Sequence, residues 1–486
     1  MRYLIVVFSL IVSFNSFEQI SFYKLFTDNG YDFGQGVVQL EDSSYVLTGS
    51  SSSFYTESSQ VFLLKIDSLG NKIWSTNYGG TGSDWGRRVL YKKNVGFFIA
   101  GYTNSIGEGG FDYYLIKTDE SGNFEWEKSY GSYGWEKVHD AALTRDTGVV
   151  MVGETSSNLS DNQDVYIVRT NQIGDTLWTK TMGGNSDDFA TSIEPYRDSL
   201  FLISGTKYIE DSLVNKAFLL MIHEDGTVLW EDTIGLNGNY DISDFVIEND
   251  EIQAVGSNSG VDGTSNMVTI EYDLLAQNFT DEIVHVNSGD HRGRLITKYG
   301  VPGQRYIAYT FKDEVSYNIG EDLHMGNFAS VNIWYINGVS EITHLGQDEP
   351  GHLIETSDGG AFMVGYTSSG GLGGANIFLL KIGPNQLYPT IDEFPSFDNY
   401  VSIEEVFEHL DFNAYPNPAN EDIQLDFVST NRIELSLIDL NGNEVFRNEI
   451  NSSSKIDLTQ IQSGVYFINV YEDNSIVGRK KIVIQH

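Results

Sequence analysis

The sequence predicts an all-β protein: a seven-bladed β-propeller closed by an N-terminal strand, followed by a small C-terminal β-sandwich. Three observations predict it. A repeat of 52 residues sets Trp74, Trp126, Trp178 and Trp230 in register, and Gly70, Gly122, Gly174 and Gly226 with them. Each copy holds four strand-like segments, recognisable by alternation and by β-branched and aromatic enrichment. The chain also carries 28 Tyr, 28 Phe and 49 Gly but only 8 Pro, which suits many short strands joined by tight turns. A fixed period of this length, with four strands per copy, is that of propeller blades.

The unit is clearest at Leu63–Tyr78 (LLKIDSLGNKIWSTNY), and it returns at Leu115–Tyr130, Ile167–Met182 and Leu219–Ile234. In the second copy the four strands are expected at Asp84–Lys92, Gly96–Tyr102, Asp112–Thr118 and Asn123–Ser129, with Gly-rich turns between them. Second strands end on Gly49, Gly101, Gly153 and Gly205, then on Gly256 and Gly365. The 109 residues between the last two leave room for one more blade, with its second strand expected at Arg305–Thr310. A seventh third strand follows at Asn376–Ile382, with no fourth strand after it. Phe22 and Phe26 lie 52 residues before Trp74 and Tyr78, so Ile20–Phe26 is expected to fill that place and close the ring, which removes the exposed edges. The tryptophans are read as packing between neighbouring blades rather than as ligand-stacking rings.

Composition narrows the function. At 486 residues the chain exceeds one ordinary domain. A formal net charge of −39 argues against nucleic-acid binding, because phosphates would be repelled, and against docking on anionic lipid. An acidic surface can hold divalent cations or can keep an exported protein soluble; the second reading is preferred. Without cysteine there is neither a disulfide nor thiolate chemistry. Residues 1–19 are expected to be a secretory signal peptide: Arg2 precedes an apolar run from Tyr3 to Val12 that is too short to span a bilayer, with no clean cleavage site. No other stretch is expected to cross a membrane as a helix. Residues 384–410 read as a Pro-interrupted, charged linker. From Asp411, strand signals recur at Ile423–Phe427, Ile433–Asp439, Glu444–Ile450, Lys455–Leu458, Val465–Tyr471 and Ile476–Ile484, as in a small β-sandwich.

Two resemblances add to this reading. The run GFFIAGYTNS…DYYLIKTDESGNFEWEKSYG resembles the SBBP-type bacterial β-propeller repeat over about Ile20–Gly383, which implies a fold and not an activity. The C-terminal motifs Tyr415-Pro416-Asn417-Pro418, the turn at Gly442, Gly464-Val465-Tyr466 and Lys480-Lys481 resemble the type A C-terminal sorting domain of Bacteroidetes. That resemblance implies passage through the type IX secretion machinery across the outer membrane, and then attachment to the cell surface or release. The other reading is an ordinary terminal adhesive module.

The search for chemistry finds less. The nine histidines include no HxxxH or HExxH pair, and no nucleophile elbow, phosphate-cradling loop or EF-hand is present, so no catalytic residue and no cofactor is assigned. One acidic feature repeats. Asp32, Asp84, Glu136 and Asp188 lie 52 apart, each at the start of an innermost strand, and Asp244 resembles them in slipped register. They could form a carboxylate ring for Ca²⁺, or each could accept backbone N–H groups in its own turn; the second reading is preferred. His285, Asp290 and His291 form the densest histidine group, read as a solvated loop rather than a metal site. The irregular stretches Val315–Ala329 (Tyr317, Asp322, His324) and Ser51–Ser59 (Phe54, Tyr55) are loop candidates for a ligand. The expected function is an exported binding or adhesion protein for a glycan or a surface protein. The alternatives are a polysaccharide lyase or hydrolase, and a structural surface protein.

Overall fold

A computed structural model describes residues 21–383 and 412–485, apart from short stretches at 27–29, 54–57, 158–161, 236–237, 260–263, 286–289, 299–303, 313–321, 330–347, 369–373, 417–418, 421, 428–432, 440–443, 451–453 and 473–474. The expected signal peptide and linker, and Phe54, Tyr55, Tyr317, Asn417, Pro418 and Gly442, lie outside the described residues. The chain forms two compact units, Met1–Glu404 and Glu405–His486.

The larger unit is a β-propeller. Its described residues form seven antiparallel sheets, six of four strands and one of three. The blades, numbered in chain order, span residues 32–78, 84–130, 136–182, 189–234, 239–285, 290–329 and 348–382. In blade 2 the strands are Asp84–Lys92, Gly96–Thr103, Asp112–Thr118 and Phe124–Tyr130, each hydrogen-bonded to the next in sequence. The seventh sheet takes its outer strand from the N-terminus. Phe22–Phe26 pairs antiparallel with Asn376–Ile382, Phe22 opposite Lys381 and Phe26 opposite Ile377. Among the described residues no helix is long and apolar enough to cross a membrane, which says nothing of strands.

Blade packing explains the period. Seven separate apolar cores lie between consecutive blades, and each is built from both neighbours. The core between blades 1 and 2, for example, joins Val46, Val61, Leu63 and Tyr78 to Val89, Phe97, Ile99 and Tyr114. The core between blades 7 and 1 joins Phe362, Val364, Ile377 and the strand residue Phe26 to Val37, Tyr45, Leu47 and Phe62. The ring is therefore closed by packing as well as by strand pairing.

Each fourth-strand tryptophan is half-buried on the core shared with the next blade, as Trp74 and Trp126 show. There it meets a turn glycine held at positive φ. Trp74 stands against Gly122 (φ +79°), Trp126 against Gly174 (φ +79°) and Trp178 against Gly226 (φ +90°). In the closing blade Phe22 stands against Gly70 (φ +78°) in the same way. An aromatic ring and a bare turn of the next copy must coincide, so the two signals keep one spacing.

The smaller unit is a two-layered β-sandwich. One sheet contains Phe412–Tyr415, Asp422–Phe427 and Ser454–Asp457; the other contains Ile433–Asp439, Glu444–Ile450, Gly464–Glu472 and Ser475–Ile484. Ile423, Leu425 and Ile456 of the first sheet bury against Leu435, Leu437, Ile468 and Ile482 of the second. Gly464 opens a strand, and the Tyr466 hydroxyl there donates to the Gln462 carbonyl at 2.8 Å.

Candidate functional site

The four repeating acids, read chiefly as acceptors of hydrogen bonds in their own turns, are buried pins between blades. Asp32, Asp84, Glu136 and Asp188 are each no more than 3% exposed. Their backbone N–H groups donate to the carbonyls of Ala375, Ser59, Phe111 and Gln163, each just ahead of a third strand in the preceding blade. Asp32 Oδ1 accepts from Ser51 Oγ at 2.5 Å and Ser53 Oγ at 2.9 Å. Asp84 accepts from Thr103, from Ser105 Oγ at 2.8 Å and from Gly80 N at 2.8 Å. Glu136 repeats the pattern with Thr155 (2.6 Å), Ser157 (2.5 Å) and Ser132 N (3.0 Å). Asp188 accepts from Tyr208 N at 2.7 Å. Burial pushes the Asp84 and Asp188 carboxyls up, and these hydrogen bonds oppose the shift. Among the described residues no three His, Cys, Asp or Glu side chains are placed to share a metal ion.

Asp244 does not belong to this set. The residue at the corresponding place in blade 5 is Tyr240, whose ring fills the space beside Gly235. Asp244 lies beyond a bulge in its strand and faces another group of residues. His285 and His291 are likewise not in a loop. His285 ends one strand and Asp290–Lys298 begins the next blade, with His291 buried at the place the acids hold elsewhere. Burial, and the nearby His291, lower the His285 imidazole. Asp322 and His324 also sit on a strand, Asp322–Ala329, rather than in an irregular loop.

The structure singles out a different feature. The innermost strand of every blade carries a β-bulge at one place, between Gly34 and Gly36 and at the corresponding steps in the other six. A bulge sets two residues of one strand against one of its partner, shifts the register by one, and so re-aims a side chain. The seven added residues are Gln35, Arg87, His139, Thr191, Ser243, Arg294 and Gly351, and all seven line one central cavity of about 620 Å³. Sequence reasoning missed them because it followed positions that repeat. The available signal was the reverse: a column of the repeat that changes from each copy to the next.

Behind the bulges a belt of polar contacts links the blades. Arg88 Nε pairs with Asp140 at 2.5 Å. Ser192 Oγ donates towards Asp140 (3.1 Å) and Asp244 (3.0 Å), and Ile296 N donates to Asp244 at 3.1 Å. Between blades 7 and 1, Val37 N donates to His352 Nδ1 at 3.1 Å. Burial raises Asp244 to about 6 and Glu194 to about 7, with Asp140 adding to both shifts and Arg88 opposing them. Burial works against the Arg88 charge, but Asp140, Asp244 and Glu194 together hold it above its ordinary value.

In front of the bulges the rim is aromatic. Tyr366 meets Phe33 edge-on at 4.8 Å, Phe33 lies 5.3 Å from Trp85, and Trp85 stacks on Tyr102 at 6.0 Å. Tyr102 continues to Phe111 (5.3 Å) and Phe111 to Trp135 (5.2 Å). Lys137 lies over the Trp135 ring, which is 52% exposed. Six rings thus run in an unbroken ribbon from the cavity to the outer surface across blades 7, 1, 2 and 3.

Comparison with known proteins identifies the C-terminal unit. Residues 413–485 match the family model of the secretion system C-terminal sorting domain, and the smaller unit is such a domain. The comparison with curated proteins finds no match. Among solved structures, Sqt1 from Chaetomium thermophilum is similar over 75% of this chain and 100% of its own, at 10% identity and a TM-score of 0.39. Raptor from Chaetomium thermophilum is similar at 6% identity and a TM-score of 0.42, covering 75% of this chain and 29% of Raptor. The β-propeller domain of the Trilobed protease from Pyrococcus furiosus is similar at 9% identity and a TM-score of 0.36, covering 71% and 95%. The chain combines a β-propeller, built by its own sheets, with a type IX sorting tail, and that tail marks it for export.

Proposed function

We propose that this is a cell-surface or secreted binding protein whose propeller holds a glycan or protein ligand at its channel mouth. One observation carries the reading. All seven blades place the bulge at one step of the innermost strand and share a core with the next blade, yet the seven bulge residues are of six kinds: Gln35, Arg87, His139, Thr191, Ser243, Arg294 and Gly351. A purely structural ring has no use for six kinds of side chain at one re-aimed position facing the channel, whereas a ligand without sevenfold symmetry does. The aromatic ribbon at the same mouth supplies the flat contact area that such sites employ.

The acidic set at Asp32, Asp84, Glu136 and Asp188 enters this proposal in a supporting role. Its hydrogen bonds favour fixing the loops between blades over coordinating Ca²⁺. The test is retention of the purified protein on a broad glycan panel, once with calcium and once with chelator. Binding in both conditions, lost in Trp85→Ala with an unchanged melting temperature, supports the channel site. Binding only with calcium moves the site to the acidic set. Turnover of a bound polysaccharide would make the protein a lyase or hydrolase, and no binding at all would leave a structural surface role.

A further inference from the structure

We infer that the ligand at the channel mouth is a negatively charged saccharide, its rings lying along the aromatic ribbon and its acid group on Arg87 and Arg292. This rests on the glycan reading above and narrows it. The chain has 68 Asp and Glu against 29 Lys and Arg, so a cation would ordinarily find an acidic partner. The cavity reverses the balance, with Arg87, Arg88, Arg292 and Arg294 facing it against Asp241, Asp244 and Glu349.

Two of the four arginines are engaged, Arg88 with Asp140 and Arg294 with Glu349 at 3.2 Å. Arg87 donates to the neutral Gln35 side-chain oxygen, and neither Arg87 nor Arg292 forms a close ion pair among the described residues, although their charges also reach Glu154 and Asp241. A guanidinium with donors to spare is the group that grips a carboxylate or sulfate through two parallel hydrogen bonds. The acidic remainder of the protein does not prevent this. Charges farther than about 8 Å are largely screened at physiological salt, so the local arginines decide.

The rings argue for a sugar rather than an acidic peptide. A ribbon of six rings, with neighbours 4.8–6.0 Å apart and three of its five contacts edge-on, presents ring faces and edges in turn to successive flat units of a chain. Its outer end, Trp135, is open to solvent.

Calorimetry of the full-length protein would compare oligogalacturonate with its methyl ester, and a sulfated galactan oligomer with its desulfated form. The expected result is at least tenfold tighter binding of one charged member than of its neutral counterpart. Which pair shows the difference tells carboxylate from sulfate. Arg87→Gln should abolish the difference without moving the melting temperature, and Trp135→Ala should weaken both members of the pair. Lys93→Ala, which removes an exposed cation paired with Glu41 elsewhere, should change nothing. Equal affinity for charged and neutral members overturns the charge assignment and leaves the glycan reading standing. Binding of acidic peptides but of no saccharide overturns both.

Discussion

Gly174 shows how much one residue fixes. Its φ of +79° is a conformation that side chains rarely adopt, and an added Cβ would lie 2.7 Å from the Trp126 ring. Gly174→Ala should therefore cost about 1–3 kcal/mol, read as a lower midpoint in urea unfolding. An unchanged midpoint would show that the tryptophan yields freely. Glu194 makes a second prediction at this scale. Burial lifts its carboxyl from 4.5 to about 7, so the folded protein keeps a proton that the unfolded chain has released between those values. Its contribution is present below about pH 4.5 and is lost as pH rises through about 7. Glu194→Gln should flatten the fall in melting temperature across that window and raise it at pH 8 by on the order of 2 °C. Asp244, raised to about 6, leaves a residual slope of the same sign. Superimposable profiles for the two proteins would contradict a protonated Glu194.

The decisive element is the strand Phe22–Phe26. Leu25 and Phe26 are fully buried, one in the core between blades 6 and 7 and the other in the core between blades 7 and 1. Phe26→Ala should destabilise the propeller by about 3–5 kcal/mol, and removal of the strand should lower the melting temperature further. A melt unaffected by removal would mean that the ring does not need its closing strand. This element was legible in the sequence because its aromatics kept the register of Trp74 and Tyr78 in the absence of any neighbouring strands. The four acidic positions were legible too, because each is a buried pin at the same step of its blade; in blades 5 and 6 that step is held by Tyr240 and His291. The bulges were not, because a one-residue addition leaves the hydrophobic alternation intact on both sides. Nor was the ribbon, whose six rings come from four columns of the repeat and meet only in three dimensions. Asp244 misled for the same reason: it looks like Asp84 in sequence but stands beyond the bulge, with Arg88 and Asp140 as neighbours.

At the scale of the molecule the two units divide the work, one presenting a mouth and the other serving export. Deleting residues 411–486 should hold the protein inside the outer membrane, measured by protease accessibility on intact cells; normal surface exposure of the truncated chain would refute that role. The charge of −39 sits comfortably with an exported protein, and the arginines of the channel stand out against it. The closing pairing sets a clock as well. Phe22–Phe26 finds its partner only once Asn376–Ile382 has been made. At the usual pace of synthesis, roughly 5–20 residues per second, about 20–70 s separate the two. Until then the earliest strand has no partner from this chain, and the blades already made can form only an open arc rather than a ring. Whatever shields that strand in the cell acts before the ligand site exists, because the mouth comes into being only with the last pairing.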